Sequence, residues 1–340
     1  MLFGRATLPV NDLGYRMWEG VRESPFTRWM VITQAGIRLS WRIMWLRRVV
    51  FLAFSPVIFF ALIVYLFESG LENQSWIQLV TANGMATVLP EIDRLTSMVD
   101  NGASEAELRH AMWSILLYNY FSIPQALGMI TIVAVIAPKL ISRDLRTRAI
   151  LLYFSRPIAT WEYIVGKMAI VWFYLLCITV LPSLLVYILG VSMAPDISVF
   201  FNTWDLPFRC LFAALLLIVP TTMVAVCFSS MTQESRFALF AWLAIWVVGI
   251  VSYNMLVLSG NASMPSGDMT AEQARQNYDE VTNRWAILSP FHCIGRIQRW
   301  VFFGIHDVTI HDLLRVVMVL SVTIGSLLLT IRHVRKPLQS

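Results

Sequence analysis

The sequence predicts an all-α integral membrane protein with six transmembrane helices. An interfacial helix precedes them, a short cytoplasmic coupling helix follows the second span, and a re-entrant or interfacial hairpin lies on the outer side before the last. Three observations carry this prediction. Of 340 residues, 57% are hydrophobic and 14% charged, with a mean hydropathy of +0.65, too apolar for an ordinary soluble domain. Six runs are each about long enough to cross ~30 Å of hydrocarbon. The basic residues gather in alternate connecting segments, as the positive-inside rule requires.

Residues 1–48 form the cytoplasmic N-terminus. Ser24-Pro25 offers an N-cap followed by proline at the first helical position, so a helix is expected to start there. Ile37, Trp41, Met44 and Trp45 fall on one helical stripe, and Arg38, Arg42, Arg47 and Arg48 supply basic groups beside it. Arginine in the headgroups with tryptophan at the boundary is the pattern of a helix lying on a membrane. No apolar core with a small-residue cleavage site precedes it, so insertion is expected to rely on the first membrane helix.

The spans are placed at Val49–Phe67, Trp113–Ala137, Met168–Leu189, Pro207–Ser229, Phe237–Leu258 and His311–Ile331, within a six-helix transmembrane domain of residues 49–331 that leaves 332–340 as a cytoplasmic tail. Thr309 and Asp312 have capping-box spacing at the start of the sixth. Arg315, just inside it, is expected to snorkel outward. With both termini in the cytoplasm, the inner segments hold 18 of the 26 basic and 6 of the 21 acidic residues, a net +12 inside against −7 outside. That asymmetry supports an even number of spans. It also accounts for the sequence pI of about 9.2 without a nucleic-acid partner, which calls for a basic, aromatic patch on a soluble surface.

Three segments fall outside. Residues 68–112 contain SEAELR from Ser104, which opens with an N-cap and acids suited to a short helix. Residues 190–206 are shorter and carry Trp204. Residues 260–310 begin polar, continue through a helical stretch at Thr270–Asn283, and turn apolar and aromatic over Trp285–Gly304. Arg296, Arg299 and Pro290 make that last part a poor spanning helix and favour a re-entrant or interfacial hairpin.

The inventory of catalytic groups is thin. No GxxxxGK[ST], HExxH or GxSxG occurs, and Gly166-Lys167 has Trp161 where a phosphate loop would need its first glycine. The five histidines share no helix at ligand spacing, and the four cysteines, Cys177, Cys210, Cys227 and Cys293, lack CxxC spacing. No catalytic residue, metal site or cofactor is therefore assigned. The cysteines read as small apolar fillers, with a bond between Cys210 and Cys293 left open. Asn119, Gln125, Thr221, Thr222 and Asn254 are the intramembrane polar candidates, either for a pathway or for contacts between helices. The spans carry essentially no buried charge of the kind an ion-coupled carrier keeps at its midplane. Energy is expected from outside the chain.

The segment 138–167, PKLISRDLRTRAILLYFSRPIATWEYIVGK, is a basic, amphipathic island between two apolar runs. Charged Asp144, Arg146 and Arg148 lead into the apolar run Ala149–Phe154, and Ser155-Arg156-Pro157 stops it. A plain connecting loop would be polar throughout. In ISRDLRTRAILLYFSRPI followed by WEYIVGK, this island resembles the cytoplasmic coupling segment of type-2 ATP-binding-cassette (ABC) permeases, at Asp144, Arg146, Ser155, Arg156, Pro157, Tyr163, Gly166 and Lys167. Members of that family commonly carry a glycine just after the charged run, where this chain has Arg148-Ala149.

The resemblance extends to the interfacial helix, the six spans and the broken outer hairpin. It implies a non-catalytic permease subunit of the plasma membrane, paired as a homo- or heterodimer and bearing two separate ATPase subunits. Asp144, Arg146, Arg148, Arg156, Pro157, Gly166 and Lys167 would couple to those subunits, usually for export. The residues alone leave two other classes open, a membrane scaffold holding a soluble partner and an intramembrane enzyme. Nearly charge-free, aromatic spans suit lipid-like or amphipathic cargo, but any lipid-facing bundle needs them too.

Overall fold

The computed structural model describes residues 27–73, 91–122, 124–155, 158–194, 196, 198–262, 271–304 and 309–336. Among them every regular element is helical. The chain runs α1 (Arg28–Trp41), α2 (Met44–Leu52), α3 (Ser55–Asn73), α4 (Ile92–Asp100), α5 (Glu105–Ser122) and α6 (Pro124–Ile136), then a 3-10 turn at Ala137–Lys139. It continues through α7 (Ser142–Arg146), α8 (Ala149–Phe154), α9 (Thr160–Met193), α10 (Ser198–Thr203), α11 (Leu206–Met231) and α12 (Ser235–Ala262). After α13 (Ala271–Trp285) and a second 3-10 turn at Ala286–Leu288 come α14 (Pro290–Phe303) and α15 (Ile310–Arg335).

Five stretches are long and apolar enough to cross a membrane: Met44–Ser69, Thr160–Met193, Ser198–Met231, Ser235–Gly260 and Ile310–Arg335. They coincide with the first, third, fourth, fifth and sixth expected spans. The second expected span, Trp113–Ala137, is divided between α5 and α6. Pro124 opens α6, and a proline there has no N–H to continue the preceding helix.

The 34-residue α9 is the axis of the bundle, packing against α1, α3, α6 and α11, while α15 packs chiefly along α11. At ~1.5 Å per residue α9 is ~51 Å long, well beyond ~30 Å of hydrocarbon. Its surplus length includes Glu162 and Lys167 near its start. Outward-facing side chains elsewhere are large and apolar, with Ile58 77% and Phe51 69% exposed, as a lipid-facing surface requires.

The N-terminal helix departs from the expected stripe. Ser24-Pro25 lies outside the described residues, and α1 ends at Trp41, so Met44 and Trp45 belong to α2 and point outward at 56% and 68% exposure. What α1 turns to the bundle is Ile32, Gly36 and Ile37. Two glycines permit this closeness. A Cβ on Gly36 would sit 2.1 Å from Ile170 Cδ1, and one on Gly166 would sit 2.9 Å from the Trp29 carbonyl oxygen. Thr33 Oγ1 donates to the Gly166 carbonyl (3.0 Å), Tyr174 donates to the Ile37 carbonyl (2.9 Å), and Trp41 stacks on Tyr174.

The end of the bundle remote from α7 and α8 is cross-linked by charge. Glu68 accepts from Arg109 (3.0 Å) and the Trp113 indole (3.1 Å), and Asp205 meets His110 (3.1 Å) and Arg209 (2.6 Å). Arg209 also caps the carbonyls of Val301 (3.0 Å) and Phe302 (2.7 Å), and Arg299 pairs with Glu91 (2.9 Å). These bonds fasten α14, whose 14 residues reach only ~21 Å, to α4 and α11. The SEAELR segment caps as expected, Glu107 accepting from the Ser104 backbone N–H and hydroxyl, both at 2.9 Å. These bonds hold the Glu107 carboxyl below its usual range.

Thr309 donates from its N–H (3.1 Å) and hydroxyl (2.7 Å) to Asp312, closing the cap of α15 as the spacing predicted. Arg315 does not snorkel outward. It is fully buried, paired to Asp312 and bonded to the carbonyl and side chain of Asn283 on α13. A carboxylate one turn away and a facing helix end satisfy it more closely than the headgroups would. All four cysteines are free, and Cys210, Cys227 and Cys293 are buried, which matches the filler reading.

Candidate functional site

The turn, α7, α8 and the first two turns of α9 form one compact end of the bundle, and its residues divide into an anchored set and an offered set. Ser229, near the end of α11, accepts from the backbone N–H groups of Ile141 and Ser142, both at 3.1 Å, and donates to the Pro138 carbonyl (3.0 Å). One hydroxyl thereby satisfies the otherwise unpaired start of α7 and fixes it to α11. In the sequence Ser229 stands only as the last residue of the fourth expected span, with nothing local to mark this role.

Asp144 is the second anchor. It is 9% exposed, accepts from the Tyr163 hydroxyl (2.7 Å) and pairs with Lys167 Nζ (2.7 Å). The Lys167 ammonium also lies 5.5 Å from the ring centres of Tyr153 and Tyr163, within cation–π range. Burial, and secondarily the Asp144 charge, pushes the Tyr153 phenol pKa up. Tyr153 therefore stays a neutral aromatic face for the ammonium. Lys167 follows Gly166, the close-approach glycine under α1, so α1, α7, α8 and α9 meet at a single polar knot.

Arg148 stands where the resemblance led one to look for glycine, and the backbone explains the preference. It takes a left-handed conformation, φ +55°, at the N-cap of α8. Glycine enters that region freely, whereas a side chain there costs on the order of 1–2 kcal/mol. The bend lets α8 fold back on α7.

The offered set faces away from the bundle. Arg143, Arg146 and Arg148 are exposed, as are Leu151 (46%) and Leu152 (73%). Arg146 Nη1 lies 3.4 Å from Glu234 Oε1, both side chains being largely solvated, so the pair constrains little. Glu162 turns the other way, accepting from the Ala159 N–H (2.7 Å) to start α9. A cleft of about 580 Å³ between α1 and α8 is lined by Arg28, Val31, Ile32, Leu152, Tyr153 and Ile158.

The structure thus brings Asp144, Gly166 and Lys167 together and leaves Arg146 and Arg148 at the surface. Arg156 and Pro157, and the side chain of Gln125, lie outside the described residues. The other polar candidates do not converge. Asn119 is buried and donates to the Ile115 carbonyl (2.9 Å), Thr221 donates to the Leu217 carbonyl (2.6 Å), Thr222 is fully buried, and Asn254 is exposed. Two of the five bond to their own helix, the commonest fate of such groups in a bundle. No group of three or more His, Cys, Asp or Glu able to hold a metal occurs among the described residues.

Comparison with known proteins places most of the chain in a family. The family model described as "ABC-2 family transporter protein" matches residues 38–329, which takes in α2 to α14, most of α15, and Asp144, Tyr153, Tyr163 and Lys167 of the polar knot. No curated protein and no solved structure matches the chain.

Proposed function

This chain belongs to the ABC-2 transporter family, and from that premise we propose that it is the permease subunit of an exporter, driven by a separate cytoplasmic ATPase that docks on residues 138–167. The observation that carries the reading is the division of that segment. Ser142, Asp144 and Lys167 are locked to the bundle, while Arg143, Arg146, Arg148, Leu151 and Leu152 project from it. A rigid mount under an exposed mixed apolar and basic face is what transmission of force from a soluble partner needs. Exposed leucines ringed by arginine suit a protein interface better than a hydrocarbon surface.

In this reading α5 and α6 together make the second of six spans, broken at Pro124. An even count returns both termini to the side that holds the excess of basic residues. The outer hairpin is α13 with α14, held at the membrane surface by Arg209 and Arg299. Two permease copies and two ATPase subunits complete the transporter, in a bacterial inner or plasma membrane.

The reading is tested by co-purifying the chain with its native ATPase and measuring substrate-stimulated ATP hydrolysis. Retained binding with no stimulation by any exported compound would instead make the chain a scaffold. Loss of neither binding nor hydrolysis on charge reversal across Arg143, Arg146 and Arg148 would remove the docking assignment.

A further inference from the structure

A second site lies at mid-bundle, independent of the coupling segment. α11, α12, α14 and α15 enclose an apolar cavity of about 570 Å³, lined among others by Thr221, Trp246, Ser252, Cys293, Met318 and Val319. That volume is within the ~300–1,000 Å³ of ordinary ligand pockets. Two of its lining residues, Val248 (62%) and Leu288 (45%), are exposed on the flank of the bundle, so it communicates with the surrounding bilayer. An apolar void of this size forfeits the packing contacts of its whole lining. Acyl chains are the solvent at hand.

Two polar features specify the occupant further. Trp246 lines the cavity at 3% exposure, and its indole N–H has no acceptor. A buried donor left unpaired is costly at bilayer depth, and an ester carbonyl would satisfy it. About two helical turns along α12, ~11 Å away, Tyr253 stacks on His292 at 3.6 Å, in the electrostatic field of Arg296 and Arg315. Burial, and secondarily Arg296, holds His292 down to about 4, so the ring is neutral and the positive charge there belongs to the arginines. Asp312 pairs with Arg315 and otherwise accepts from Thr309. Half-buried Arg296 has no carboxylate partner among the described residues, and the buried Arg315 Nε has no acceptor.

We propose that this cavity is a binding site for an anionic glycerophospholipid. One acyl chain lies between α11, α12 and α15, an ester carbonyl accepts from Trp246, and the phosphate headgroup is neutralised by Arg296 beside Arg315. A zwitterionic lipid of the same chains fills the cavity and presents the same phosphate, but it brings a choline cation toward Arg296, the arginine without a carboxylate partner among the described residues. A soluble anion satisfies the arginines but leaves the cavity empty.

The test uses the full-length chain in detergent. Native mass spectrometry is run with phosphatidylglycerol and phosphatidylcholine of identical acyl chains, and separately a phosphatidylglycerol with a photoactivatable acyl chain is cross-linked and mapped. Phosphatidylglycerol is expected to be retained about tenfold more tightly, because its headgroup places no cation against Arg296. Arg296→Gln should lower it to the phosphatidylcholine level, and Ser252→Phe, which fills the cavity, should release both. Cross-links should fall within 242–256 and 318–322. Equal retention of the two lipids, an Arg296→Gln variant with undiminished preference, or cross-links confined to other helices would each overturn the proposal. Should Ser252→Phe fail to fold, the cross-link map on the unaltered chain decides.

Discussion

Lys167 Nζ sits 2.7 Å from Asp144 Oδ2, joining the first turns of α9 to the short α7 across a sequence separation that the chain covers by doubling back through α8. Both side chains are nearly buried, at 10% and 13% exposure. Removing either leaves the other's charge without its partner in a poorly solvated site. Lys167→Met or Asp144→Ala should each cost about 3 kcal/mol, read as a fall in thermal unfolding temperature in detergent. The double variant Asp144→Leu with Lys167→Met should recover much of that loss. Single variants that unfold within error of the parent would show that the pair holds nothing.

Arg146 supplies the complementary case. The sequence treats Asp144 and Arg146 as equivalent coupling charges, but only Arg146 is solvated, and its contact with Glu234 is worth less than about 1 kcal/mol. Arg146→Glu should leave unfolding unchanged and reduce ATPase association. Asp144→Arg should damage both, so the Asp144 substitution cannot by itself isolate coupling. Equal loss of stability in the two variants would contradict this division.

Gly166 and Gly36 should respond differently to the same substitution. A Cβ at Gly166 meets the Trp29 backbone carbonyl oxygen, whereas at Gly36 it meets the far end of the Ile170 side chain. A side-chain terminus can rotate away; a helix backbone moves only with its helix. Gly166→Ala is expected to cost about 1–3 kcal/mol and to increase proteolysis within α1, with Gly36→Ala affected less. The reverse order, measured by thermal unfolding and limited proteolysis, would count against close packing of α1 on α9.

Arg148→Gly tests the left-handed residue at the head of α8. Release of side-chain strain should raise stability by up to about 1 kcal/mol, partly offset by the greater freedom of glycine in the unfolded chain. Arg148→Ala, which keeps the strain and removes the charge, should not stabilise. ATPase association then separates the two effects: if the exposed guanidinium matters for docking, both variants weaken it alike.

Much of this protein was readable from its residues because a membrane leaves the backbone few options. Every N–H and C=O in hydrocarbon must bond within its own segment. Apolar length therefore placed five of the six expected spans, and Thr309 with Asp312 fixed the start of the last. The segment 138–167 was equally visible as a basic, amphipathic stretch between two apolar runs. Charge and periodicity are local properties, and the linear sequence states them.

Relations between distant residues were not written there. Nothing near Arg315 in sequence indicates that Asn283 of α13 turns it inward, and nothing near Asp144 says that it is buried while Arg146 is exposed. The sequence by itself determined that the chain is a helical membrane protein with a basic segment suited to a partner. The packing of α1, α7 and α8 onto α9 and α11 decided which charges of that segment are mount and which are face. Burial depends on what arrives from elsewhere in the chain, and a single stretch of sequence carries no record of it.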